Sequence, residues 1–232
     1  MKKAFTIQII ATPNEFSTAR IHQGILQFAA EHPSCLVSWH NPAQIVGDRT
    51  ADARQKIPEA DGYIVCRISK SILSRLRRKR RPVIYIDPPY PISGKNLRSL
   101  YIDNDAIAAT ATLHLLSTGR CRSFAIALPP STSPNTSDLP PWISRRLATF
   151  IRTLRLAGKS CVQLPPGNED SILPLLERPI GLYAVNDTTL FQLLARIKKL
   201  NFHIPNDILL VGSDNNTEFC EHTKPSLSSI DI

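Results

Sequence analysis

The feature that most constrains this chain is a steady alternation of short apolar runs with longer amphipathic stretches. "AFTIQIIA" (4–11), "CLVSWH" (35–40), "DGYIVCR" (61–67) and "PVIYIDPPY" (82–90) read as strands. Between the first two, "STARIHQGILQFAAEH" places Ile21, Ile25, Phe28 and Ala29 on one helical face. "SKSILSRLRRKR" reads as a helix that stops where Pro82 enters. Repeated β-α-β units of this kind build a parallel sheet with helices on both faces. After "SLYID" and a helix running to Gly119, the alternation restarts with "SFAIAL" (123–128). A helix "WISRRLATFIRTLRLAG" and the strands "CVQL", "IGLYAV" and "ILLVG" follow. Two Rossmann-like α/β lobes fit this restart better than one continuous sheet. The expected boundaries are 1–102 for the first lobe, 103–228 for the second, and 229–232 as the start of a crossover back to the first.

Polar pairs recur where these strands end. Asn14 and Ser17 follow the first strand, and Asp87 follows "VIYI". Asp103-Asn104 follow "LYI", Asn186-Asp187 follow "LYAV", and Asp214-Asn215 follow "LLVG". Open parallel sheets bind ligands beyond the carboxyl ends of their strands. Carboxylates and amides there can hydrogen-bond a polyhydroxylated molecule, and an arginine adds further donors. The same residue types also cap the helices that follow them, so both readings stand at each pair.

The motifs of bond-making chemistry are absent. No Gly-x-Gly-x-x-Gly follows the first strand, "SGKN" lacks the spacing of a phosphate loop, and there is neither a Gly-x-Ser-x-Gly elbow nor a His-Glu-x-x-His. The six histidines are dispersed. This pattern argues for a binding protein without catalytic residues, metal or cofactor, and against its class rival, a small-molecule-modifying α/β enzyme. The five cysteines stand singly, as reduced thiols do in a cytoplasmic protein. No run reaches the ~18 apolar residues of a membrane span. "MKKAFTIQIIA" faintly imitates a signal peptide, but Gln8 and the Thr12-Pro13-Asn14 turn favour a first strand. That reading counts against a secreted sugar-binding transport protein. The net charge of +9 is concentrated around "RLRRKRR" (75–81), a solvated helix end or a phosphate-binding patch.

"AVNDTTLFQLLARIKKLNFHIPNDILLVGSDNNTEFCEHTKPSLSSID" (184–231) resembles the ligand-binding domain of the lactose/galactose repressor family. That family shows Asn-Asp, a helix, a "glycine-x-x-x-Pro-x-Asp" turn, "Val-x-Gly-x-Asp-Asn" and "Pro-x-Leu-(Ser/Thr)-(Ser/Thr)-Ile". Asn201 stands where the family often has glycine, as a left-handed position allows. "FCEHTKPSLSSID" is most similar to the xylose-operon regulator branch, which carries a helix-turn-helix module of the arabinose-regulator type after its sensor. "WISRRLATF" resembles the family's Trp-x-x-x-Arg-x-x-x-Phe segment.

The resemblance implies a type I periplasmic-binding-protein fold, two lobes closing on a small effector, and no enzymatic activity. It implies a sugar effector, with a pentose such as xylose as first expectation, and a homodimer. DNA would be bound only through a module outside these 232 residues. Carried over residue by residue, Arg146, Asn186 and Asp214 are the leading ligand contacts, and Asn14, Phe16, Ser17, Asp87, Asp103 and Trp142 the secondary ones. The helix around Arg146 has Leu147, Phe150, Ile151 and Leu154 for its core, which leaves Arg146 free to point elsewhere. The fold would be truncated at its C-terminus, where the family chain re-enters the first lobe and adds a helix, so an apolar face of the first lobe should lie uncovered. The proline-rich stretch 129–141 departs from the family pattern.

Overall fold

A computed structural model describes residues 4–12, 16–45, 56–132 and 138–232, excluding the side chains of residues 16–19 and 44. The chain forms two compact α/β units, residues 1–102 and 103–232.

In the first unit, β1 (Phe5–Ile10), β2 (Cys35–His40), β3 (Gly62–Cys66), β4 (Val83–Ile86) and β5 (Leu97–Leu100) make one sheet of order β2-β1-β3-β4-β5. Every pairing is parallel. Among the described residues its helices are α1 (Phe16–Glu31), the single turn α2 (Pro42–Ile45) and α3 (Lys70–Arg78). Ser69 caps α3 by accepting from the Ile72 amide. Ile72, Leu73 and Leu76 of α3 are buried with Ile10, Tyr63, Val65 and Tyr85 on one face of the sheet. Strand β5 ends at Leu100, so Tyr101 and Ile102, expected in a strand, lie beyond it.

The opposite face of this sheet is less well covered. Ile9, Ala11, Cys66 and Ile86 form a small cluster under Ile21 and Ile25 of α1, and Trp39 packs against His22. On the same face Ile84 and Leu100 remain 43% and 60% exposed. Full burial of one such side chain contributes about 1.5–3 kcal/mol. Amide hydrogen exchange should therefore be less protected across β1–β5 than across the strands of the second unit. Equal protection in both sheets would show that the open face carries no penalty.

The second unit has β6 (Ser123–Ala127), β7 (Val162–Gln163), β8 (Ile180–Ala184), β9 (Ile208–Ser213) and β10 (Ser228–Ile230), in the order β10-β9-β8-β6-β7, again all parallel. Residues 229–230, read from sequence as the start of a crossover, are thus part of an edge strand of this sheet. Helices α4 (Asn104–Ser117) and α5 (Pro141–Leu156) cover one face through Ala108, Ala111, Leu115, Ile143, Leu147, Phe150 and Leu154. Helix α6 (Asp187–Lys199) covers the other through Leu190, Leu193, Leu194 and Ile197, followed by the short α7 (Thr217–Cys220). Both faces are buried, which is why β8 and β9 read as unbroken apolar runs. Helix α4 ends two residues before Gly119 (φ +63°), and Asn201 after α6 is left-handed at φ +56°. The architecture is the two-sheet, helix-flanked α/β fold expected from the sequence.

Candidate functional site

The strands of the second sheet end on a polar cluster centred on Arg146. The inward stripe of α5 runs Ile143, Leu147, Phe150, Leu154, and Arg146 shares it with only 3% of its surface exposed. Its Nε donates to Asn104 Oδ1 at 2.8 Å and its Nη1 to the Val185 carbonyl at 2.6 Å. The same Nη1 stands 3.7 Å from Asp214 Oδ1. One turn earlier on α5, Trp142 holds its ring 5.2 Å from the guanidinium carbon. The expectation that Arg146 stands free of the core is therefore corrected. The residue is buried because three partners, from α4 and from just beyond the ends of β8 and β9, compensate its charge.

Asp214 and Asn215 leave β9 in positive-φ conformations, +111° and +49°. Their amides are held by β10: Asp214 N–H donates to the Ile230 carbonyl and Asn215 N–H to Ser229 Oγ, both at 3.0 Å. At β8, the Asn186 side chain caps α6, accepting from Thr189 N–H at 2.9 Å and Thr189 O–H at 2.6 Å. Asn186 also lines an open recess of about 740 Å3 with Trp142, Asp138, Thr188 and Gln192. Behind the cluster, the Tyr183 hydroxyl and Ser213 Oγ are 3.0 Å apart, and burial raises the tyrosine pKa.

Asp187 has a different task. Buried at the start of α6, its carboxylate accepts from Asn216 N–H at 2.8 Å, from Ser229 O–H at 2.7 and 2.8 Å, and from the Cys220 thiol at 3.4 Å. Burial raises its pKa despite these donors. The Cys220 thiol is itself pushed up to about 12 by burial and by the adjacent carboxylate. A methyl group on Gly212 would collide with Asp187 Oδ1, so glycine is required at that point of β9. Asp187 thus ties α6, α7 and β10 together below the cluster.

Of the remaining expected residues, one belongs to the second unit and the others to the first. Asp103 is exposed and caps α4, accepting from Ala106 N–H at 2.9 Å. Asp87 belongs to the first unit, left-handed at φ +48°, with its N–H donating to Leu100 O at 2.7 Å. Phe16 and Ser17 occupy the first turn of α1 with side chains outside the described residues, and Asn14 lies outside them entirely. Of the expected set, the structure brings together Arg146, Asp214 and Trp142, with Asn186 on the recess beside Trp142. Asn104 was not among the expected contacts, although it falls on the apolar stripe of α4 with Ile107, Ala108, Ala111 and Leu115. Among the described residues no group of three or more His, Cys, Asp or Glu is placed to hold a metal ion. No helix there is long and apolar enough to cross a membrane. A buried cation, a carboxylate, two amides and an indole face together suit a ligand rich in hydroxyl groups.

Comparison with known proteins matches residues 112–232 to the model of a periplasmic binding protein-like domain. Over 61 residues the chain is 34% identical to the HTH-type transcriptional repressor PurR of Vibrio atlanticus, covering 26% of this chain and 18% of that protein. Among solved structures, a LacI family transcriptional regulator of Enterococcus faecium with bound ribose is similar over 98% of this chain and 84% of its own, at 22% identity and a TM-score of 0.69. The xylose-binding transcription activator XylR is similar over 99% of this chain and 59% of its own, at 20% identity and a TM-score of 0.70. At these identities the structural likenesses speak for the fold.

Proposed function

Since the chain belongs to the periplasmic binding protein-like domain family, we propose that it is the effector-sensing domain of a transcription regulator and that its effector is a sugar. The observation that carries this reading is the Arg146–Asn104–Asp214 cluster beside Trp142 at the strand ends of the second unit. Hydroxyl groups of a sugar would take up hydrogen bonds from the guanidinium edge and to the Asp214 carboxylate, and the indole would pack on the apolar face of the ring. Asn186 would present its amide nitrogen while its oxygen stays on Thr189.

Ribose and xylose in the similar regulators favour a pentose. The ending "FCEHTKPSLSSID" favours the xylose-operon regulator branch, with homodimeric assembly and a separate helix-turn-helix module in a cytoplasmic protein. An effector would act only through a difference in affinity between two states of the regulator. The reading needs no enzymatic step.

A thermal-shift screen of pentoses, hexoses and sugar phosphates tests it. A pentose at a hundred times its Kd should stabilise the chain by about 2.7 kcal/mol. Silence across all neutral sugars, with a response to another metabolite class, would overturn the sugar assignment.

A further inference from the structure

The charge of this protein is very unevenly placed. Residues 56–100 hold eleven lysines and arginines against three acids, a net +8 out of the chain's +9. The topology gathers most of these cations at one edge. Helix α3 ends at Arg78 beside the starting ends of β4 and β5, the edge opposite Asp87. Arg77, Arg78, Arg80, Arg81, Lys95 and Arg98 are all exposed there. Three of them are tied to neighbouring backbone or side chains. Arg77 donates to the Ser93 carbonyl at 3.3 Å, Asn96 Nδ2 to the Arg80 carbonyl at 2.8 Å, and Arg98 to the Gly94 carbonyl at 3.2 Å. Of the acids, Glu59 is paired with Lys79, whose hydrogen bond and charge hold the Glu59 carboxyl below its usual range. Asp61 accepts from the Thr6 amide at 2.9 Å.

We propose that this edge of the first unit binds the phosphate backbone of duplex DNA. Five of the six exposed cations are arginines, whose planar fork suits phosphate oxygens better than a lysine does. The apolar residues of α3 (Ile72, Leu73, Leu76) are all buried, so the helix has no wedge to insert into a lipid surface. The contact is therefore electrostatic, without sequence preference, and distinct from the sensing chemistry of the second unit. It does not depend on which effector that unit binds.

The test is fluorescence anisotropy with a labelled random-sequence 20-base-pair duplex, titrated from 50 to 200 mM salt. Engagement of four to five phosphates gives a slope of log K against log salt of about −4. The variant R77Q/R78Q/R81Q should reduce the slope to about −1 to −2 and weaken binding at 50 mM salt about tenfold or more. Arg80 is left in place because its backbone is left-handed at φ +55°. A charge-matched variant of exposed cations in the second unit, R155Q/K198Q/K199Q, should bind like the parent. Superimposable circular dichroism melts for the three proteins would establish that the fold is retained. No binding at 50 mM salt, equal losses in both variants, or tighter binding to phosphatidylserine vesicles than to the duplex would overturn the proposal. A sugar-induced thermal shift that persists in R77Q/R78Q/R81Q would separate its failure from a failure of the sensing reading.

Discussion

Arg146→Ala should destabilise the second unit by about 3 kcal/mol, the scale on which breaking one side of a buried, hydrogen-bonded ion pair is felt. The substitution leaves the Val185 carbonyl and Asn104 Oδ1 without their donor and Asp214 without its nearby cation. It also removes the guanidinium that stands over the Trp142 ring, together with the buried aliphatic stem. Asp214 retains some access to water, which limits the penalty on its side of the pair. Arg146→Met keeps much of the stem and should recover part of the loss. Urea denaturation measures both, because a lower midpoint at constant m reports stability alone. An unchanged midpoint for Arg146→Ala would mean that the buried network contributes nothing to the fold. Loss of sugar affinity in that variant would then be a clean measure of ligand contact.

The second large effect is expected where β9 meets Asp187. Gly212→Ala should cost about 1–3 kcal/mol, because the new methyl meets a carboxylate that three donors hold in place. Asp187→Ala should cost a similar amount, since it leaves the Asn216 amide and the Ser229 hydroxyl without an acceptor. The double variant should lose less than the sum, because removing the carboxylate makes room for the methyl. Strict additivity would show that the collision is relieved elsewhere. Asp187 also carries a pH signature. Its pKa is raised on folding, so the folded state holds this proton more tightly than the unfolded chain. Its contribution is fully present below the unfolded value of 3.8 and is lost as pH rises through the folded value. Asp187→Asn should abolish that part of the pH dependence, as denaturation series across this range would show.

The alternation of apolar runs was enough to specify two parallel sheets and their helices, because strands buried on both faces leave unbroken Val/Ile/Leu segments such as 208–211. Edge elements were harder to read. Strand β5 pairs through Leu97–Leu100, where Arg98 and Ser99 break the apolar signal, and α7 is a single turn without periodicity. At the site, the polar strand ends were visible but their division of labour was not. Asn186 and Asp103 cap helices, Asp187 braces a loop, and Arg146 is folded into the core. The spacing did hold a clue to Arg146. Positions 143, 146, 147, 150 and 154 form one helical stripe, and a charged residue on such a stripe is buried with partners or displaces the helix. Those partners, Asn104 and the Val185 carbonyl, lie 42 and 39 residues away in sequence, where no local pattern reaches.

Among the described residues, each of the four apolar clusters lies on one side of the boundary at 102/103. Free-energy changes from core substitutions in clusters that share no side chain should therefore sum. For sequence drift the outcome is a form of insulation. Ile84 and Leu100 of the first unit are open to solvent, so that sheet face can accumulate exchanges at little cost to the unit's own packing. Recognition chemistry and surface charge can then diverge at separate rates within a single polypeptide.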